Sequence, residues 1–282
     1  MPAKDNIKGT VKYLAGAVGT YLPRRPERSR ILTYHSVGCR SHEMNVPPEA
    51  FREQIAWLAE NSTPISLSAA ATGQPGVAVT FDDGYLDNLT EAAPILQEYR
   101  IPATVFIVAG KVGAFLDHDN PDESARLMTW DQIRELEAMG ISIGGHSLSH
   151  PRLSTLPESA QRNEIVGCAQ LLVERLGHAV EAFAYPYGSA MDYDTRCIQL
   201  VEDAGFLYAC SNRYGWNCAP HIEGFALRRI WIDRTDTLDT FRQKVLGQLD
   251  LLYFLDSKPA LFARRMLNRA SLRRGPRHGR GC

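Results

Sequence analysis

Two adjacent carboxylates, Asp82 and Asp83, follow the run Gly76-Val77-Ala78-Val79-Thr80-Phe81 and precede Gly84. A short apolar run bounded by glycines reads as a buried strand. A strand interior does not accept two unpaired acids, because a buried charge is costly. At the carboxyl end of a strand in an α/β protein, side chains open into the crevice where ligands bind. Successive side chains leave a strand in opposite directions, so one carboxylate can hold a cation while its neighbour handles a proton. An Asp-Asp-Gly turn with solvated acids satisfies the same pattern. His146 and His150 stand four apart in His146-Ser147-Leu148-Ser149-His150-Pro151. Pro151 disfavours helical geometry at His150, which leaves a loop to aim both rings inward. Two histidines and one carboxylate make a catalytic zinc set with positions open to water and substrate, and the same donors suit Fe(II) or Co(II). His35 and the segment Tyr185-Pro186-Tyr187-Gly188 also end short apolar runs.

These residues require a scaffold that places several strand ends together. The chain has 282 residues, 44% hydrophobic and 22% charged, enough for one large α/β domain with a packed core. Its net charge of −1 argues against a whole-protein nucleic-acid binder. Strands are expected at 31–35, 64–67, 77–81, 103–108, 141–145, 183–185, 207–210 and 227–232. Helices are expected after Pro47-Pro48, over 86–99 and 130–139, from Pro157 to about Leu176, over 192–204, and over 237–254. Residues 111–128 read as an insertion carrying Asp117, His118, Asp119, Asp122 and Glu123. About seven strands alternating with helices point to a mostly parallel sheet or barrel. No pair among the six cysteines has C-x-x-C spacing, so a zinc ribbon and a thioredoxin-type site are excluded. Several free thiols are expected, with pairing of Cys210 and Cys218 left open. Residues 1–30 read as an appendage: an amphipathic pattern, then a basic, proline-containing linker. Residues 256–282 read as a basic tail, with eight Lys or Arg and no acid from Ser257 onward. Both ends suit peripheral contact with an anionic membrane surface, through residues 1–25 and 257–282. A helix packed on the domain and a solvated tail are the plainer alternatives. No secretory signal or transmembrane span is evident, so a cytoplasmic location, or a peripheral one at the inner membrane, is expected.

Taken together, Thr80-Phe81-Asp82-Asp83-Gly84, His146-Ser147-Leu148-Ser149-His150 and Tyr185-Pro186-Tyr187-Gly188 resemble, in order, the motifs of the polysaccharide deacetylases, the NodB-homology or carbohydrate esterase family 4 enzymes. The resemblance covers about residues 31–255. It implies a distorted (β/α)7-type barrel. It also implies that Asp82 is the general base, that Asp83, His146 and His150 hold a divalent metal, and that Tyr185, Pro186 and Tyr187 form the groove wall, with the Tyr187 N–H facing the oxyanion. The metal implied is Zn2+, with Co2+, Fe2+ or Ni2+ as alternatives.

Two departures from the common pattern stand out. No Leu-x-His motif lies near the carboxyl end. Leu32-Thr33-Tyr34-His35 instead resembles the subgroup of exopolysaccharide poly-N-acetylglucosamine deacetylases, in which an early histidine is the acid; a structural histidine at a strand end is the alternative for His35. Ala184 also stands where an arginine often precedes the Pro-Tyr segment. Arg229, or its neighbour Arg228, is expected to orient Asp82 in its place, and Asp233 to orient His35. Tyr85, Tyr214 and Trp216 are further candidates for stacking on sugar rings. The resemblance implies removal of N-acetyl groups from an amino-sugar polymer or glycan precursor. A deacylase of a small or lipid-linked sugar and a non-catalytic carbohydrate-binding relative are the other readings.

Overall fold

A computed structural model describes residues 25, 27–39, 42–116, 123–251 and 253. The expected amphipathic start, the residues Asp117, His118, Asp119 and Asp122 of the insertion, and the basic tail lie outside them.

The strands are β1 (Ser29–Tyr34), β2 (Ser36–Val37), β3 (Asn45–Val46), β4 (Gly76–Phe81), β5 (Ala103–Ile107), β6 (Ser142–Gly145), β7 (Ala182–Ala184), β8 (Tyr208–Tyr214) and β9 (Leu227–Trp231). The α-helices are α1 (Pro48–Asn61), α2 (Leu67–Ala71), α3 (Ala93–Glu98), α4 (Trp130–Ala138), α5 (Glu158–Leu176), α6 (Thr195–Asp203) and α7 (Leu238–Val245). Seven strands form a closed parallel barrel in the order β1-β4-β5-β6-β7-β8-β9, with β9 pairing back onto β1. β2 and β3 make a separate two-stranded sheet. This is the (β/α)7-type architecture implied by the motifs.

Alternation along β4 explains its composition. Val77, Val79 and Phe81 join the large cluster that includes the helix residues Phe51, Ile55 and Leu58, whereas Ala78 joins the inner cluster with Ile31, Phe106, Ala184, Cys210 and Leu227. The barrel interior is narrow, so mostly small side chains line it. Gly144 shows the limit: a Cβ there would sit 2.5 Å from the Phe106 ring. Above this apolar floor the inner face turns polar. The hydroxyls of Thr33 and Thr80 lie 3.3 Å apart, and Thr80 Oγ1 donates to Leu32 O at 2.8 Å. The next residues along these inner faces are His35 and Asp82, at the carboxyl-end mouth.

Local signals set several boundaries. Thr129 and Gln132 cap α4 reciprocally, and Gly177 ends α5 at φ +84°, a conformation that glycine adopts without a Cβ penalty. Some expectations need correction. β1 begins at Ser29, two residues before the expected start, and Arg28 and Arg30 both bind Asp250. The strand expected at 64–67 is a single bridge from Pro64 to Val77, followed by α2, whose first turn Ser66 caps. The helix expected over 86–99 opens as a π-helical turn, Asn88–Ala92, before α3. The final helix stops at Val245 because Gly247 takes φ +80°. Cys210 and Cys218 are free thiols. No helix among the described residues is long and apolar enough to cross a membrane.

Candidate active site

Each candidate residue sits just past a strand end, and backbone conformation decides where it points. Asp82 continues the inward alternation of Ala78 and Thr80. Simple alternation would send Asp83 outward. Instead its φ of +75° reverses the chain and turns its carboxylate back across the mouth. Ser147, His150 and Tyr187 are also left-handed, at φ +63°, +63° and +60°. Positive φ is uncommon in non-glycine residues and is held only where surroundings over-determine it. Four of the five such residues described fall in these segments, the other being Arg100.

The loop from His146 to His150 is clamped at several points. His146 N donates to Ile107 O at 2.8 Å, and His150 N donates to Ser147 Oγ at 3.0 Å. Glu164, on the buried face of α5, accepts from the N–H groups of Leu148 and Ser149 at 3.0 and 2.9 Å and from Ser149 Oγ at 2.6 Å. The sequence reading missed Glu164. Its signal was present: a carboxylate on the helix stripe that also buries Gln161, Ile165, Cys168 and Leu172 needs a partner.

The three expected metal donors converge. Asp83 Oδ1 lies 3.5 Å from His146 Nε2 and 3.4 Å from His150 Nε2, and one donor atom from each residue falls within 4.8 Å of the others. These separations are long for hydrogen bonds. They match the roughly 3.4 Å edge of a tetrahedron with metal–ligand bonds of about 2.1 Å. His146 Nδ1 donates to Ala184 O at 2.7 Å, which leaves Nε2 with its lone pair facing Asp83. A backbone carbonyl behind a histidine is a common way to orient a metal ligand. Burial lowers the His146 pKa, the nearby Asp82 only partly opposing it, so the ring is held in its ligating, neutral form. The residues therefore fit a divalent cation.

Asp82 belongs to a different network. Arg229 Nη1 and Nη2 donate to Oδ1 and Oδ2 of Asp82, both at 2.7 Å, while Arg229 Nε donates to Ser211 O at 2.9 Å. Both side chains are 0% exposed. Burial by itself would raise the Asp82 pKa; the charge and paired hydrogen bonds of Arg229 outweigh it and hold the carboxyl well below its ordinary range. Arg228, one residue earlier, faces outward and lies over the Tyr253 ring. His35 Nε2 is 3.9 Å from Asp82 Oδ2, and Asn88 Nδ2 holds His35 through its carbonyl at 2.8 Å. Burial pushes the His35 pKa down to about 4, with Asp82 opposing, so the ring is neutral at neutral pH. Asp233 Oδ1 accepts from the N–H and hydroxyl of Thr235.

The Pro186-Tyr187-Gly188 segment makes a three-residue turn, closed by Gly188 N donating to Pro186 O at 2.7 Å. With Tyr187 at positive φ this is the strained form of the γ-turn. The Tyr187 ring is 40% exposed. It lies 4.9 Å from the His150 ring and under the Arg152 guanidinium, 3.9 Å from its centroid. Arg152 is itself tied to Asp192. Pro186 is buried beneath the turn. Tyr185, expected in the groove wall, is fully buried: its ring stacks on Tyr193 at 4.1 Å and its hydroxyl donates to Phe225 O. It supports the segment from below and presents no surface to a substrate. Tyr85 is likewise buried, with Val108, Leu116 and Leu127. Trp216 packs beneath Arg28, near the start of β1 and so at the opposite end of the barrel from the mouth.

A closed parallel barrel of seven strands is the architecture of the NodB-type deacetylases, and here Asp83, His146 and His150 make a candidate cation site at its mouth. The family model for polysaccharide deacetylase matches residues 69–209, and the chain belongs to that family. It is 28% identical over 216 residues to YxkH of Bacillus subtilis (strain 168), covering 73% of this chain and 72% of that one. It is 36% identical over 249 residues to poly-beta-1,6-N-acetyl-D-glucosamine N-deacetylase of Escherichia coli (strain K12), covering 72% of this chain. The match spans only 36% of the length of the E. coli protein. The fold is shared with IcaB from Ammonifex degensii, at a TM-score of 0.66 and 24% identity over 79% of this chain and 97% of that one.

Proposed function

We propose that the chain is a metal-dependent hydrolase that removes N-acetyl groups from an amino-sugar polysaccharide, leaving a free amine and releasing acetate. The observation that carries this reading is the division of labour between neighbours: Asp83 joins His146 and His150, while Arg229 keeps Asp82 off that set and aimed at the same space. The activity for which the E. coli relative is named supports an N-acetylglucosamine polymer as the substrate.

Asp83, His146 and His150 would hold the ion, with Zn2+ the best match to this donor set and Co2+, Fe2+ or Ni2+ as alternatives. When bound, a divalent ion supplies positive charge that polarises an acyl oxygen and acidifies water. Asp82 takes the proton of the attacking water. The proton then passes from Asp82 Oδ2 to His35 Nε2, whose ring burial keeps neutral and so able to accept it. The 3.9 Å between those atoms is a gap of the kind that closes when substrate binds. His35 then protonates the departing nitrogen. The Tyr187 N–H is assigned to the oxyanion, where a fixed backbone donor is most effective. Arg229 acts on the substrate only through Asp82, which makes it a positioning residue.

The reading is tested by acetate release across a panel of acetylated glycans, polymeric and precursor, with and without chelator. Activity that survives complete metal removal rejects it. His146→Ala is expected to lower bound metal more than about tenfold, since loss of even an outer-shell partner costs 10–100-fold; elemental analysis of purified protein reads the result, and an unchanged content removes His146 from the ligand set. His35→Ala is expected to slow amide cleavage by about 10²–10⁴-fold. Cleavage of an activated aryl ester should suffer far less, because a good leaving group needs no acid. Equal losses on the two substrates count against His35 as the acid. The amphipathic pattern of residues 1–25 and the basic run 257–282 support peripheral contact with anionic lipid, for which co-sedimentation with anionic vesicles is the direct assay.

A further inference from the structure

We propose that Trp231 is the stacking platform for the pyranose ring that carries the departing amine, an inference that rests on the deacetylase reading above. Trp231 ends β9. Two residues earlier, Arg229 points into the barrel onto Asp82. Between them Ile230 faces outward, in the cluster that contains Phe241 and Val245 of α7. Side chains alternate along a strand, so Trp231 takes the Arg229 side, one step nearer the mouth. An inward residue on a closed barrel is ordinarily buried, yet Trp231 is 41% exposed. Its indole therefore stands in the opening.

Its neighbours give the exposure a use. Trp231 is in register with Thr33 of β1, and His35 follows Thr33 by two residues at the same mouth. Around the rim the order is β9, β1, β4, hence Trp231, His35, Asp82, with the Asp83-His146-His150 set beyond. A bound N-acetyl sugar presents its atoms in the matching order: the ring, the nitrogen, the acyl carbon, the acyl oxygen. A ring over Trp231 brings its nitrogen to His35 and its acyl group to Asp82 and the cation site. The apolar C–H face of a pyranose suits an indole face, because aromatic surfaces gain from burying apolar area. The backbone beneath the indole is fixed. Trp231 O accepts from Lys244 Nζ at 2.6 Å, and the buried Lys244 is paired with the buried Asp236. Trp216, by contrast, lies beneath Arg28, and Trp57 packs on Phe241.

The test compares wild type, Trp231→Leu and Trp231→Phe by calorimetric binding of β-1,6- and β-1,4-linked N-acetylglucosamine pentasaccharides to chelator-treated protein, alongside steady-state acetate release. Trp231→Leu should weaken binding about tenfold or more, equivalent to about 1.4 kcal/mol, and raise KM to match while kcat changes much less. Trp231→Phe should recover most of the loss. Equal affinity of wild type and Trp231→Leu overturns the proposal. If Trp231→Leu does not fold, nitrogen-15 NMR of the wild type decides: the Trp231 indole resonance, assigned by its absence in Trp231→Phe, shifts on adding glycan if the platform is used and stays still if it is not. Glycan that binds through Trp231 but is never deacetylated by the metal-loaded wild type would reject the deacetylase reading while leaving the platform in place.

Discussion

Replacing Asp82 by Asn should cut acetate release by about 10²–10⁴-fold, the span associated with loss of a general base, while the protein keeps its metal. The amide has nearly the shape of the carboxylate but cannot take a proton at neutral pH. Asp83, His146 and His150 do not depend on Asp82 for their mutual positions, since Ala184 O holds His146, Ser147 Oγ holds the His150 N–H, and the Asp83 turn is set by its own backbone. The substitution does disturb Arg229. One of its two short hydrogen bonds to Asp82 would face an amide N–H₂ group, and a buried cation would lose its counter-charge. A stability loss is therefore expected together with the loss of turnover. The measurement that separates them is acetate released per bound metal, at a temperature where the near-ultraviolet circular dichroism of the variant is native. Near-normal turnover under those conditions removes Asp82 as the base.

Arg229→Ala should produce the largest stability effect. It leaves a carboxylate with 0% exposure without its partner, and breaking a buried ion pair from one side costs about 3–5 kcal/mol. The pH dependence gives a sharper signature than the size. In the wild type the folded-state pKa of Asp82 lies below its ordinary value. The stabilisation from the pair is therefore complete above the unfolded value of about 3.9 and is lost as pH falls toward the lower folded value. With Arg229 gone, burial dominates and raises the folded-state pKa. The sign then reverses: the folded state binds the proton more tightly, and the Asp82 contribution weakens as pH rises through the unfolded pKa toward the folded one. Thermal melts of both proteins from about pH 4 to pH 8 should show the difference between them growing with pH across the lower part of that range. A constant difference would mean that the ion pair is not what Arg229 contributes.

Much of the site is legible in the chain because each part is announced by a local rule. An apolar run that ends in two acids and a glycine must end at a surface or a crevice, and three such junctions in one order are hard to assemble by accident. The absence of a late Leu-x-His motif draws attention to His35, and the absence of an arginine at Ala184 draws attention to Arg228 and Arg229. Other features have no local sign. Tyr185 and Tyr187 look alike in Tyr185-Pro186-Tyr187, yet one ring is in the core and the other at the mouth, because the reversal at Tyr187 separates them. Tyr85 and Trp216 are two of the three aromatic residues that the sequence offers for stacking on sugar rings, and packing claims both.

What the sequence determines by itself is the set of reactive groups and the fact that each follows a strand, since hydrophobic periodicity and breaker residues are short-range properties. What only the tertiary structure decides is direction and company. Arg229 instead of Arg228 meets Asp82 because barrel closure between β9 and β1 fixes which β9 side chains point inward. Asp83 meets His146 and His150 because a left-handed residue turns it back across the mouth. Glu164 clamps the histidine loop from a helix that follows that loop in the chain. These are long-range consequences of closing seven parallel strands around a narrow core. Register, handed turns and barrel geometry are properties of the assembled chain, and they turn two adjacent acids into one candidate metal ligand and one arginine-held carboxylate.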